Sequence, residues 1–407
     1  MLCVQPSLYA FRHAMHENDL LLFELFAIFV AAKGIGEIFE RLELPAVLGE
    51  ILAGVLIGPY ALGWIHPSDT LKAIAKIGAI FVLFHAGLEI SPKDLIKVGR
   101  PAVLVAVAGI IAPFILGFAY MHWRGDVLTE SVFVGVAMVA TSVGITARVL
   151  GDLGVLSSRV AKIILGAAVF DDILGMLLLA VVGGLAQGGS VEWLKLGILA
   201  MEAILFALFM IFIGPRILSR LRPGLARLST HNAPLIVALM VCLGLSFAAS
   251  KIGMGAIIGA FFAGMIFSEF SPEWDLRPRV SAITEFLGPF FFFAIGSQLD
   301  VKLFNNDVLL VAIVVSLLAI VSKVVACGVP LMREGWKTAL SVGVGMMPRG
   351  EVALIVAAVG LNSRVVSQST YAVVVFMTAV TTVLAPPILR ILFRKERLAV
   401  AESGGAS

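Results

Sequence analysis

The sequence predicts an all-α polytopic membrane protein with thirteen transmembrane helices. Three observations carry that prediction. Apolar residues make up 60% and charged residues only 14% of the 407 positions, against about 45–50% and 25% in soluble chains. The apolar residues run in blocks of about 20, the length that spans a bilayer as helix. Basic residues collect at alternate breaks between the blocks, as cytoplasmic loops do. With a mean hydropathy of +1.03, disorder, a secreted disulfide scaffold and an ordinary soluble enzyme are excluded.

The blocks follow in order. The first 18 residues carry His13, His16 and Glu17 without a cleavable apolar core, and read as a short exposed tail. A sliding window then places spans at roughly 19–39, 45–64 and 71–90, the second ending at Gly58-Pro59 and the third at Ser91-Pro92. Spans at roughly 100–121, 130–150 and 160–184 are punctuated by Gly125-Asp126 and Gly188-Gly189. A seventh at roughly 194–219 precedes spans at 232–250 and 253–269, which meet in a tight break at Lys251 to Met254. Ser271-Pro272 and Asn305-Asn306 set off the remaining spans at roughly 281–299, 307–330, 337–360 and 369–393.

Charge sidedness gives an independent reading of topology. One side carries Arg216, Arg220, Arg222 and Arg227, the cluster Lys93, Lys97 and Arg100, and the tail Arg390, Arg394, Lys395 and Arg397. The other side carries mostly single basic residues, Arg12, Lys72, Arg124, Lys195, Lys251, Lys302 and Arg364. The N-terminus is therefore expected outside and the C-terminus in the cytoplasm. The net charge of +3 follows from this topological bias and gives no reason to expect a nucleic acid partner. Cys242 and Cys327 lie inside apolar runs as small hydrophobes, and with Cys3 they imply neither a disulfide nor a metal site. An odd span count has a further meaning: if spans 1–6 and 8–13 are homologous, the single span 7 inverts the second half, the build of many secondary transporters.

Ionisable residues at mid-bilayer cost about 2.5–3.5 kcal/mol on insertion scales and mark function by default. Asp171-Asp172 stands near the middle of span 6. Adjacent helical residues point about 100° apart, so one carboxylate can face a watery cavity while the other faces a neighbouring helix. Two close, desolvated carboxylates raise each other's proton affinity, and their hard oxygens suit a partly dehydrated cation. Lys323 in span 11 needs a carboxylate, with Asp171 and Asp172 as the candidates at that depth. In span 12, Gly345-Met346-Met347-Pro348-Arg349-Gly350-Glu351 interrupts the helix, and Arg349 and Glu351 are placed to pair across the break or to cap free helix ends. In span 5 the small, hydroxyl-rich stretch Thr141 to Arg148 offers Thr141 and Ser142 as oxygen ligands at the corresponding place in the other half. Lys76, His85, Glu24, Glu37 and Glu50 read as interfacial or helix-contact groups, and the run Phe290 to Phe293 as lipid or dimer packing. Nucleotide fingerprints, metal-spaced Cys/His clusters and Ser/His/Asp arrangements are absent, and no cofactor is expected.

Taken together these residues resemble the cation:proton antiporter superfamily, in the branch holding bacterial Na⁺/H⁺ antiporters and Kef-type K⁺ efflux proteins. The resemblance covers nearly the whole chain. It rests on Leu44-Pro45-Ala46-Val47-Leu48-Gly49-Glu50 with Gly58-Pro59, Phe84 to Glu89, Thr141 to Arg148, Phe170-Asp171-Asp172, Gly259 to Glu269, Ile295 to Asp300 and Pro348 to Glu351. It implies inverted repeats whose fifth and twelfth helices cross, discontinuous, beside the aspartates. It also implies a dimerisation domain (1–90 and 232–299), a core domain (100–184 and 307–393), a linker helix (194–221) and a short cytoplasmic tail (394–407).

In electrogenic members of that family two adjacent acids on the sixth helix pair with a lysine on the eleventh, the pattern that Asp171, Asp172 and Lys323 match. The Asp-Asp pair, where Kef-type proteins have Gln-Asp, and the short tail favour Na⁺ or Li⁺ exchange for H⁺ over gated K⁺ efflux. On this reading Asp172 is the principal cation ligand and Asp171 the partner of Lys323. The expected setting is a homodimer in the cell's inner (plasma) membrane serving pH homeostasis. A K⁺/H⁺ antiporter and an ion channel are the rival readings.

Overall fold

The computed structural model describes residues 17–42, 45–186, 193–225, 232–253, 255–298, 306–362 and 364–394. The N-terminal tail before residue 17, Gly188-Gly189, Asp300, Lys302, Asn305 and the tail beyond residue 394 lie outside the described residues. Among the described residues the regular structure is helical. In chain order the helices are α1 (Glu17–Arg41), α2 (Ala46–Ile57), α3 (Asp69–Leu88), α4 (Pro92–Arg124), α5 (Leu128–Val139), α6 (Val143–Asp152), α7 (Arg159–Ala186) and α8 (Trp193–Phe212). There follow α9 (Gly214–Leu225), α10 (Ala233–Lys251), α11 (Ala256–Phe267), α12 (Leu276–Gly296), α13 (Asn306–Gly328), a 3₁₀ turn (Val329–Glu334), α14 (Trp336–Gly345), α15 (Glu351–Asn362) and α16 (Gln368–Leu392).

Among the described residues each apolar block of the sequence falls on helix, and the fifth, seventh and twelfth blocks each hold two, α5 with α6, α8 with α9 and α14 with α15. Eight described stretches are long and apolar enough to cross a membrane, Leu128–Asp152 among them counted across its break, while Ala46–Ile57 and Ala256–Phe267 are apolar but shorter. Two boundaries differ from expectation. The seventh block holds as one apolar stretch long enough to cross, Gly197–Arg220, but with a helix break inside it: α8 stops at Phe212 and α9 begins at Gly214. Pro215 cannot donate to the Ile211 carbonyl, and the Arg216 guanidinium turns back to bond the Phe212 carbonyl. α4 reaches beyond its apolar run because Pro92 is preorganised for a first helical position.

The chain forms two compact units. The first comprises residues up to Gly78 with Phe286–Lys302. Its core gathers Ile28, Ala32, Ala53, Ile57, Ile65 and Leu71 around Phe290 and Phe293. Phe290, Phe291, Phe292 and Phe293 are all buried, so the run packs inside the protein and faces neither lipid nor a second copy. Glu50 is fully buried and pairs through Oε1 with Lys33 Nζ at 3.3 Å. On the surface, Glu37 takes the Arg41 Nε–H at 2.8 Å.

The second unit, Ala79–Glu285 with Leu303–Ser407, holds the candidate site. Met138 and Val136 of α5, Val315 and Ala319 of α13, Val356 of α15 and Met377 of α16 share one apolar core. Polar clamps tie its ends. Glu130 of α5 accepts the Ser367 N–H at 2.6 Å and the Thr370 hydroxyl at 3.3 Å, capping α16 from across the unit. Arg159 of α7 forks onto Glu334 at 2.8 and 3.2 Å.

Where α3 meets α11 the backbones touch. A methyl group at Gly87 would overlap the Phe261 carbonyl, and one at Gly264 would overlap the Phe84 carbonyl. Close approach of this kind drives helix association in lipid, where apolar burial drives little. Gly87→Val and Gly264→Val should each lower stability by about 2 kcal/mol or more, because backbone cannot step aside as a side chain does. Thermal unfolding in detergent measures this, and an unchanged Tm in both variants would contradict the packing.

Candidate functional site

The site is built where two interrupted helices cross. α5 ends at Val139 and α6 begins at Val143, with Ser142 extended between them (φ −90°, ψ 100°). α14 ends at Gly345 and α15 begins at Glu351. Pro348 explains the second break, since it bars its predecessor from helical geometry and offers no donor to Val344. The first break has no proline; it is held by bonds to the second. The Ser142 N–H donates to the Pro348 carbonyl at 2.8 Å. The Thr146 hydroxyl donates to Gly345 at 2.7 Å and the Thr141 hydroxyl to Met346 at 3.4 Å, so α14's last carbonyls are served by side chains of the other interrupted helix. A methyl group at Gly350 would lie 2.6 Å from Ser142 Oγ, which leaves room at this crossing for glycine alone.

Arg349 completes the junction. It is fully buried, and its guanidinium donates to Met138 at 2.7 Å, to Ala319 at 3.1 Å and to Met347. Met138 lies at the C-terminal end of α5, and Met347 just beyond the end of α14, where helix dipoles concentrate negative charge. The backbone on either side is bonded too: the Arg349 N–H donates to Thr381 Oγ1 at 3.3 Å, and Thr382 Oγ1 donates to the Arg349 carbonyl at 2.6 Å. Of the two roles open to Arg349 in the sequence, these bonds are those of a cap on freed carbonyls. The Glu351 side chain lies outside the described residues.

Beside the crossing, α7 carries the carboxylates. Asp171 is 2% exposed and Lys323 of α13 is 0% exposed. Lys323 Nζ stands 3.3 Å from both Asp171 oxygens, an ion pair shut off from solvent. Asp172, one residue on, is half-buried. Ser142 Oγ is buried and has no hydrogen-bond partner among the described residues. Two carboxylates in unlike environments, an ammonium on one of them and a vacant hydroxyl oxygen make a place where a small cation and protons can compete for oxygen ligands. Among the described residues no three His, Cys, Asp or Glu side chains converge as a resident metal site would require.

Two groups to which the sequence assigns no role at the site belong to this neighbourhood. Cys327, one turn beyond Lys323, donates its thiol to the Val105 carbonyl of α4 at 3.6 Å. Gly109 of α4 lies so close that a methyl group there would sit 3.2 Å from Lys323 Nζ. At the far end of α6 a cavity of about 230 Å³ is lined by His85, Arg148, Asp152, Ser281, Thr284 and Glu285 among others, with Arg148 Nε 3.1 Å from Asp152 Oδ1.

Comparison with known proteins agrees with this architecture. The family model described as "Sodium/hydrogen exchanger, transmembrane" matches residues 25–395. The high-affinity Na⁺/H⁺ antiporter NhaS3 of Synechocystis sp. is 38% identical over 415 residues, covering 92% of this chain and 90% of its own. The Na⁺/H⁺-K⁺ antiporter GerN of Bacillus cereus is 32% identical over 374 residues, covering 91% and 96%. The solved structure of the sodium proton antiporter MjNhaP1 from Methanocaldococcus jannaschii shares the fold, with a TM-score of 0.66 at 19% identity over 93% of this chain and 98% of that one. The chain therefore belongs to the transmembrane sodium/hydrogen exchanger family of transporters.

Proposed function

We propose that the chain exchanges Na⁺ or Li⁺ for H⁺ by competition of cation and protons for the Asp171-Asp172 site. The observation that carries this reading is the buried Asp171–Lys323 pair beside half-buried Asp172 at a crossing of interrupted helices. Asp172 is the principal cation ligand, with Thr141 and Ser142 supplying further oxygens; Asp171 holds Lys323 while the site is empty and is the second carboxylate ligand when the cation is bound. A bare carboxylate at this depth is costly. Occupancy by either cation or proton lowers that cost, so the loaded site crosses the apolar barrier and the empty one stays. If both carboxylates protonate for each Na⁺ released, one net charge moves per cycle, worth about 2.3 kcal/mol per 100 mV. The name of GerN, which includes K⁺, makes K⁺ the second cation to test.

The proposed setting is the cell's inner membrane, with thirteen crossings, the N-terminus outside and the C-terminus in the cytoplasm. The proposed assembly is a homodimer. Spans 1–3 and 8–10 form its dimerisation domain, spans 4–6 and 11–13 its core domain.

Three outcomes follow. In everted vesicles Na⁺ should dissipate a preformed pH gradient, and Asp172→Asn should reduce that response to background; exchange at the parent rate in this variant would end the assignment. Lys323→Gln should lower the charge moved per Na⁺ in voltage-clamped proteoliposomes and cost about 3 kcal/mol of stability, since it strands a buried carboxylate; both at parent values would remove the pair from the mechanism. Arg349→Met should destabilise by about 3 kcal/mol or more, because several carbonyls lose their donors at once, read as a fall in Tm in detergent.

A further inference from the structure

α4 is helical from Pro92 to Arg124 with Pro113 in its interior. In a helix the N–H of residue i bonds the carbonyl of residue i−4, and proline has no N–H. The carbonyl that loses its donor to Pro113 is that of Gly109. A freed carbonyl at this depth needs a donor from elsewhere.

The same glycine lies against the ammonium of Lys323. A methyl group there would stand 3.2 Å from Nζ, 3.6 Å from Cδ and 2.7 Å from Cys327 Sγ. Cys327 in turn bonds Val105, one turn below Gly109, at 3.6 Å. Lys323 and Cys327, four apart on α13, thus lie against Val105 and Gly109, four apart on α4. Lys323 has three donors, and its two described hydrogen bonds both go to Asp171. The guanidinium of Arg349 is committed to carbonyls.

An ammonium buried this completely cannot be left without acceptors. On the reading above, Asp171 turns to a cation or a proton during each cycle, and Lys323 then loses both of its bonds. We propose that the Gly109 carbonyl, freed by Pro113, is the second acceptor of the Lys323 ammonium, taken up when Asp171 engages the cation. Gly109 and Pro113 are then positioning residues: glycine leaves the approach open, and proline keeps the carbonyl vacant. This rests on the proposed exchange activity.

Pro113→Ala tests it by restoring the helical donor. The helix gains a hydrogen bond, so Tm should hold or rise. Without its second acceptor Lys323 competes harder for Asp171, and the KM for Na⁺ in proteoliposomes should rise about tenfold, what one hydrogen bond to a charged group is worth. Combined with Lys323→Gln, Pro113→Ala should leave the KM of that variant unchanged. A parent KM in Pro113→Ala, or the same rise in the Lys323→Gln background, would overturn the proposal. A structure of the parent protein with Na⁺ bound gives a readout that needs no variant. Lys323 Nζ within hydrogen-bond distance of the Gly109 carbonyl is expected; Nζ still on both Asp171 oxygens would overturn it. A parent protein without Na⁺/H⁺ exchange would instead count against the proposed function.

Discussion

The backbone groups freed where α5–α6 crosses α14–α15 constrain everything around them. Deep in an apolar medium a carbonyl without a donor costs several kcal/mol, and two interrupted helices expose several at one place. Arg349 answers most of that demand by itself, reaching Met138, Ala319 and Met347 from one guanidinium. Its charge also offsets the negative ends of the two half-helices it touches. Thr146, Thr141 and the Ser142 amide take up further bonds. The crossing is possible because donors from four segments converge on it, and each of those segments is placed by the others.

This arrangement divides two buried cations by role. Arginine, planar and permanently charged, suits several fixed acceptors; lysine, compact and on a flexible stem, suits a partner that must be released. Arg349 is bonded to backbone, which does not titrate. Lys323 is bonded to Asp171, a side chain whose charge depends on what else it holds. The two aspartates are divided in the same way. One helical step turns Asp171 into the protein toward α13, while Asp172 remains half-buried. Identical chemistry acquires different environments from a rotation of about 100°.

Much of this was legible in the chain, and the reasons are physical. A bilayer demands long apolar helices, so the helix positions could be read from hydropathy blocks. Pro348 among glycines marks its own break. Charges are so costly at mid-bilayer that Asp171, Asp172, Lys323 and Arg349 stand out individually. What sequence leaves open is direction. Acceptors on the backbone have no residue identity, so the carbonyls that Arg349 serves carry no sequence signature. The Phe290 to Phe293 run reads as lipid or dimer packing in the sequence because four consecutive apolar residues look alike whether helices or lipid surround them. The seventh block ran past Pro215 because a hydropathy window averages over a break that a single missing N–H creates.

The density of bonding at the crossing bears on how such a site can work. Ser142 to Pro348, Thr146 to Gly345 and Arg349 to Met138 each join one interrupted helix to the other. Sliding α5–α6 past α14–α15 would break these bonds together, in a medium that offers no water to replace them. These bonds tie the two interrupted helices into one body. Exchange of one ligand for another has to occur through side chains that can change partners without disturbing that body. On the proposed reading Lys323 and Asp171 are such a pair, since both lie off the crossing on continuous helices, α13 and α7.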